Sequence, residues 1–446
     1  MKHKILLTLV LTLGLISSAN AQGLDKAKLD QFFDRLSEKN KAMGSITIAK
    51  DGNVVYARSI GYGQINGTDK KSLTASSRYR IGSITKMFTA SMIMQLVEEN
   101  RLKLNDTLDK FFPQIANANK ITITQILAHR SGIHDSLIDP SLRTFSKTTA
   151  ITKDELLAII VRGKPDFEPG AKHSYSNSGY ALLGLILEKV SGKSYEENLK
   201  LRITSKIGLN DTYAATGNID VSKSEALTYM NLGGQWKEVP ETHPSNLFGS
   251  GWIVSTPHDL VKFITALFDG KIVSKNSLDQ MKTMTDGEGF GMEQFTFAGK
   301  TFYQHTGGAD NYGAWLAYLP EEKLAVAYTT NAKVYPVKNI VSGVIDIYYN
   351  KPFQIPALET VAVAPEILDK YIGVYSTPDA PVKITITREG STLFFQPPGA
   401  QSAVPLEATA QDRFQIEGAV VIEFDAVKNQ MTLKRRDGAR VFTKEK

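Results

Sequence analysis

"RYRIGSITKMFTASMIMQLVEEN", residues 78–100, is the stretch on which the reading of this chain turns. Gly82 and Ser83 stand just ahead of an apolar segment, and Lys86 follows Ser83 by three residues. Positions i and i+3 share a helix face, so a helix opening here sets the Lys86 amine beside the Ser83 hydroxyl. The positive end of that helix favours negative charge developing on the oxygen. Ser83 is the only serine of the chain with a lysine three positions on. The same letters also spell an ordinary helix start with a solvated lysine, which is the commoner case. Only the rest of the chain separates the two.

Two further stretches bear on the choice. In "FEPGAKHSYSNSGYALLG" (residues 167–184), Tyr175 and Asn177 form a Tyr-x-Asn pattern held between the turn signals EPG and NSG, just ahead of a helix. Polar side chains on such a loop can project into a cleft; Ser176 or Asn177 could equally be a helix cap. Tyr229 and Tyr348 also begin Tyr-x-Asn triplets, but the first lies in a loop without that frame and the second runs into a linker. The third stretch is His305-Thr306-Gly307-Gly308, at the end of the predicted strand KTFYQ. Two glycines after a β-stretch let a ligand backbone come close and leave peptide N–H groups free to donate. A plain strand-ending turn with a surface histidine fits these letters as well.

Composition narrows the classes. The 446 residues are 42% apolar and 22% charged, an ordinary globular balance too long for one core, so two domains are expected. The formal charge of +6 falls to +4 without Lys2 and Lys4, and no basic block stands out; nucleic acid is not an expected partner. There is no cysteine, which excludes disulfides, thiol catalysis and cysteine-ligated metal. Residues 1–21 read as a signal peptide: Lys2-His3-Lys4, the short apolar run Ile5 to Ile16, and the cleavage site Ala19-Asn20-Ala21. The run is too short for a stable membrane span. A periplasmic or secreted protein is expected.

Along the chain, an amphipathic helix over about Leu24 to Lys39 precedes β-formers flanking the Asp51-Gly52 hairpin signal. Residues 105–245 read as mainly helical, and strands return at KTFYQHTGG and in the hairpin YGAWLAYLPEEKLAVAYTTN. Strands from both ends would then build one sheet around a helical lobe. Residues 351–364 read as a linker. Residues 365–446 read as all-β, with turns at Glu389-Gly390 and Asp437-Gly438, hence a small barrel or sandwich.

In this order, Ser-x-x-Lys, Tyr-x-Asn and His-Thr-Gly resemble the signature of the penicillin-recognising serine hydrolases. The branch is that of class C β-lactamases and DD-peptidases, with esterases and D-aminopeptidases. The resemblance covers about Gln31 to Tyr349 and extends to LAHRSGI (127–133), FEPG (167–170), SGKSYEE (191–197) and FGSGWIVSTPHDLVKFITALFDG (248–270). It implies an α+β fold, an antiparallel sheet flanked by helices with a helical lobe, over residues 22–350. The tail resembles the small β-barrel domains appended to many such enzymes.

By the same resemblance Ser83 is the nucleophile of an acyl-enzyme. Lys86 and Tyr175 share the role of base, and which of them takes the proton stays open. Asn177, His305, Thr306, Gly307 and Gly308 bind substrate, and the N–H groups of Ser83 and Gly308 form the oxyanion hole. No metal or other cofactor is implied. The substrate would be a small molecule or peptide: a D-amino-acid or cell-wall peptide, a β-lactam, or a small ester. Two departures stand out: His305 replaces the usual lysine, and Arg130 in HRSG replaces the usual threonine. A neutral histidine near pKa ~6.5 pins a substrate carboxylate less firmly than a lysine, so less dependence on a free carboxylate is expected. The rival readings are a metal hydrolase using His129, His134 and His173, which lack an HExxH pair, and a non-catalytic peptidoglycan-binding or sensor protein.

Overall fold

The computed structural model describes residues 24–139, 146–232, 234–297, 299–378, 380–397, 403–416, 420–435 and 438–445. Residues 1–21, expected to be a signal peptide, and Asp437 of the last predicted turn lie outside them. Helix α1 (Lys26–Glu38) is capped by Asp25, whose carboxylate accepts the Lys28 N–H at 2.9 Å. It buries Leu29, Phe32, Phe33 and Leu36, the spacing of a one-faced helix. Strands β1 (Ala42–Lys50) and β2 (Asn53–Ile60) follow, joined where Asp51 and Gly52 both take positive φ, 52° and 77°. That backbone is why an Asp-Gly pair turns a hairpin tightly.

Helix α2 (Thr85–Glu98) is different in kind. Every residue from Thr85 to Leu96 is buried, so it runs through the core rather than along a surface. Helices α3 (Asn177–Ser191) and α4 (Pro257–Phe268) pack in the same core. The closing strands are β3 (Glu293–Phe297), β4 (Lys300–Ala309), β5 (Tyr312–Leu319) and β6 (Leu324–Lys333), and helix α5 (Val337–Tyr348) follows. The antiparallel sheet has the order β3-β4-β5-β6-β1-β2, so the first and last parts of the unit meet at the β1–β6 pair. Side chains alternate across it. On β6, Val326 and Tyr328 face α1 and α5, whereas Ala325 and Ala327 face the core that holds α2 and α4. The fold is thus the expected α+β arrangement.

Residues 351–364 carry no helix or strand, though the Val361 N–H donates to Ala408 O and Val363 is buried with the C-terminal core. Eight strands then close a barrel: β7 (Gly373–Thr377), β8 (Ala380–Glu389), β9 (Thr392–Gln396), β10 (Val404–Ala410), β11 (Arg413–Ile416), β12 (Val420–Asp425), β13 (Gln430–Arg435) and β14 (Gly438–Lys444). Closure comes from pairing of β7 with β14, which leaves no open sheet edge. Lys41 of β1's approach reaches Glu407 of β10 at 2.6 Å and ties the barrel to the sheet.

Three local expectations need correction. Residues 210–245 hold no α-helix among the described residues, only short 3₁₀ turns and the short strands Tyr213–Ala214, Tyr229–Leu232 and Gln235–Glu238. Tyr229 is therefore a buried strand residue, its hydroxyl accepting the Ile65 N–H. His305 to Gly308 do not follow a strand ending at Gln304; as the run KTFYQHTGG reads, they lie within β4, paired with β5 through Leu316, Trp315, Ala314 and Gly313. Tyr348 ends α5.

Candidate active site

The Ser83–Lys86 pair sits where a one-turn 3₁₀ segment, Gly82–Ile84, runs into α2. Gly82 has φ 52°, and a Cβ there would lie 2.5 Å from the Gly308 N. A Cβ on Gly307 would lie 1.9 Å from the Ile81 carbonyl oxygen. These glycines allow the backbone beside Ser83 and the backbone of β4 to touch directly. That contact puts the Gly308 peptide nitrogen against the backbone beside Ser83.

Ser83 is partly exposed; Lys86 is completely buried. Its Nζ contacts three oxygens: Ser83 Oγ at 3.1 Å, Asn177 Oδ1 at 2.8 Å and the Ser250 carbonyl at 2.8 Å. None of the three is a carboxylate. Burial brings Lys86 down from its ordinary value to about 7, against smaller upward pulls from Asp135 and Glu288. As a neutral amine it keeps two N–H bonds, and the two carbonyl oxygens can only accept them. The lone pair is then left for the Ser83 hydroxyl.

The Tyr-x-Asn loop divides its work. Ser176 caps α3, its hydroxyl accepting the Gly179 N–H at 3.2 Å. This leaves Asn177 free to reach Lys86 with its oxygen and to donate its Nδ2 to Asp135 at 2.8 Å. The cap thus falls on Ser176, and its neighbour Asn177 faces Lys86. Tyr175 faces Lys86, whose Nζ is 4.8 Å from the ring centroid, and its phenol is near enough to Ser83 for the serine to lower its pKa. Burial pushes its phenol well above the ordinary tyrosine range, and Ser83 only partly offsets this.

His305 lies beside Tyr175, ring centroids 6.5 Å apart. Its Nδ1 donates to the Thr306 carbonyl at 2.6 Å, so the unprotonated nitrogen is Nε2. Burial, reinforced by Lys86, lowers its pKa to about 3. It is a neutral imidazole at every physiological pH. Thr306 and Gly308 are the exposed residues of this segment. Strand β3 ends opposite Gln304, so among the described residues the outer edge of β4 from His305 onward has no strand partner.

Three groups of the site escaped the sequence reading. Asp135 orients Asn177, and Ser250 supplies a carbonyl; neither carries a spacing signal. Glu288, on a turn near Lys86, is raised to about 8 by burial and by Glu293. The histidines of the metal reading go to different tasks. His129 stacks on Tyr175 at 4.3 Å, accepts the Ser176 N–H at Nδ1 and accepts the Ser174 N–H at its carbonyl. His134 is held between Asp139 and Asp166, and His173 approaches Glu288 at 3.9 Å. Arg130 pairs with Asp286 and donates to the Gly170 carbonyl, joining the FEPG turn to the Glu288 turn.

The fold and this arrangement define a serine hydrolase of the penicillin-recognising kind. The family model described as Beta-lactamase matches residues 29–341, most of the chain, and the protein belongs to that family. It is 25% identical over 433 residues to penicillin-binding protein 4* of Bacillus subtilis, across 90% of this chain and 95% of that one. It is 25% identical over 395 residues to the D-alanyl-D-alanine-carboxypeptidase/endopeptidase AmpH of Escherichia coli, across 80% of this chain and all of AmpH. The octameric penicillin-binding protein homologue of Pyrococcus abyssi superposes with a TM-score of 0.65 at 26% identity, covering 94% of this chain and 100% of that one. No helix among the described residues is long and apolar enough to cross a membrane.

Proposed function

We propose that the protein is an exported hydrolase that cleaves amide or ester bonds of D-amino-acid peptides of the cell-wall type through an acyl-enzyme on Ser83. One observation carries this reading: Lys86 is fully buried against three neutral oxygens, one of them Ser83 Oγ. A shift from 10.5 to about 7 means that burial opposes its charge by roughly 5 kcal/mol. A solvated helix lysine has no such environment. Lys86 is the base, because it is the member of the pair whose proton affinity falls to working pH; Tyr175 moves the other way and stays protonated.

In the acylation step the Ser83 oxygen attacks the substrate carbonyl carbon as Lys86 takes its proton. The N–H groups of Ser83 and Gly308 receive the oxyanion. The Tyr175 hydroxyl, beside Ser83 and Lys86, passes a proton to the leaving amine or alcohol and is resupplied from Lys86. Water then attacks the ester along the reverse route. Asn177, held by Asp135, fixes Lys86 and offers its amide edge to the substrate. His305, being neutral, cannot act as a permanent carboxylate anchor, so both acids and amides are accepted beside Thr306. A relative described as both carboxypeptidase and endopeptidase accords with that tolerance. Export rests on residues 1–21, with their charged start, short apolar run and small-residue cleavage site. The test is acylation by a fluorescent penicillin and by a fluorophosphonate. An adduct mapping to Ser83 is expected; labelling that persists in Ser83→Ala would sink the scheme.

A further inference from the structure

His305 faces Tyr175, so its strand neighbours Gln304 and Thr306 turn to the other face of β4. On that face lies a cavity of about 610 Å³, walled by Phe295, Phe297, Trp315 and Val337 and bordered by Gln304 and Thr306. This size is typical of a small-ligand site, and mainly apolar walls with a few polar groups are the usual lining. Gly307 lines the cavity as well, and its own Cα faces Ile81 on the Ser83 side. One short run of β4 therefore serves both places. The exposed Thr306 and Lys338 stand at the cavity's mouth.

The outer edge of β4 beyond Gln304 has no strand partner among the described residues. An extended peptide lying along that edge adds as a strand, and its successive side chains fall on opposite faces. If one group faces Ser83, the next falls toward this cavity. We propose that the cavity is a specificity subsite of the same hydrolase, taking an apolar, aromatic-sized side chain adjacent to the scissile bond of a D-peptide or D-amide. This rests on the acyl-enzyme reading above for the position of the substrate, and only the choice of side chain belongs to the cavity.

The test compares kcat/KM for three N-acylated dipeptides: D-Ala-D-Ala, D-Phe-D-Ala and D-Ala-D-Phe. The wild-type protein is expected to favour one benzyl-bearing substrate over D-Ala-D-Ala by roughly tenfold or more, the usual worth of a well-filled apolar pocket. Ser342→Phe and Val337→Phe each fill the cavity from α5, where both residues are only partly buried. In each the benzyl-to-methyl ratio is expected to fall toward one. A ratio unchanged by both variants, on both sides of the bond, overturns the subsite. Binding of N-acetyl-D-phenylalanine amide to the Ser83→Ala protein, measured by calorimetry, keeps the two readings apart. Binding lost in Ser83→Ala/Ser342→Phe supports the subsite even if Ser83 resists acylation; equal binding, or none in either protein, overturns it.

Discussion

Two lysines buried in this molecule have opposite surroundings. Lys41, 3% exposed, sits where the sheet meets the barrel and is met by the Glu407 carboxylate at 2.6 Å. Lys86, 0% exposed, sits at the head of α2 and meets only a hydroxyl and two carbonyl oxygens. A buried charge with a carboxylate in contact is compensated; one among neutral dipoles gives up its proton instead. The junction therefore uses its lysine as an ion-pair partner that holds the barrel to the sheet. In the proposed mechanism the cleft's lysine is the proton acceptor. The glycines that crowd β4 against Gly82 serve the cleft alone; the barrel's core is built from alternating apolar residues such as Ile386, Phe395, Ile422 and Phe442.

The comparison breaks most sharply on activity. Lys86→Met is expected to lower the rate of Ser83 acylation by about 10³-fold or more, whereas Lys41→Met leaves acylation per folded molecule within about twofold. A stopped-flow assay with a chromogenic ester decides it, and equal losses in the two variants would erase the distinction.

On stability the two substitutions should have opposite signs. Between about pH 7 and 10.5 Lys86 binds fewer protons folded than unfolded, so it weakens the fold most below pH 7 and less as pH rises. Lys86→Met is then expected to stabilise at pH 6 by roughly 1–3 kcal/mol, less than the full shift because the Asn177 and Ser250 carbonyls lose a donor. That gain should vanish toward pH 10.5. Lys41→Met is expected to destabilise by about 1–3 kcal/mol, below the cost for a wholly buried pair because Glu407 is partly exposed. Urea denaturation at pH 6 and 10 measures both; a Lys86→Met protein less stable than wild type at pH 6 contradicts the neutral-amine account.

Smaller effects sharpen how the cleft is held. His129 has φ 54° and fixes the Tyr175 loop through its ring nitrogen and its carbonyl. His129→Asn keeps a side-chain acceptor and tolerates that backbone, so its kcat should stay within about fivefold. His129→Leu should lose roughly 10–100-fold in kcat with little change in KM. Equal losses would mean that ring packing, not the Ser176 bond, does the positioning. The mildest change expected is in preference. His305→Lys should raise kcat/KM for a D-peptide acid over its amide by roughly tenfold, and an unchanged ratio removes His305 from substrate recognition.

What could be read from the sequence follows physical range. Asp51-Gly52 turns a hairpin by local backbone geometry, and Ser83 lies beside Lys86 because helix pitch puts it there; both are short-range facts. The three motifs told of a common site only because their order matched a family. Asp135, Ser250 and His129 act across contacts 40 to 170 residues long in sequence, through an amide, a carbonyl and a ring stack, and no spacing announces such partners. The edge strand Glu293–Phe297 was missed because its polar, exposed alternate residues resemble a loop. His305 to Gly308 looked like a strand end because glycine ordinarily weakens strands, whereas here it permits the approach of Ile81 and Gly82.

The claim at the centre is that a neutral Lys86 activates Ser83. It is tested most directly by the acylation rate of Ser83, followed by intact mass with a short-chain p-nitrophenyl ester from pH 5 to 10. The account predicts a single adduct on Ser83 whose formation rises with pH around a midpoint near 7 and is lost in Lys86→Met. A rate that climbs only near pH 10, where an ordinary lysine titrates, or an adduct on another residue, would contradict it.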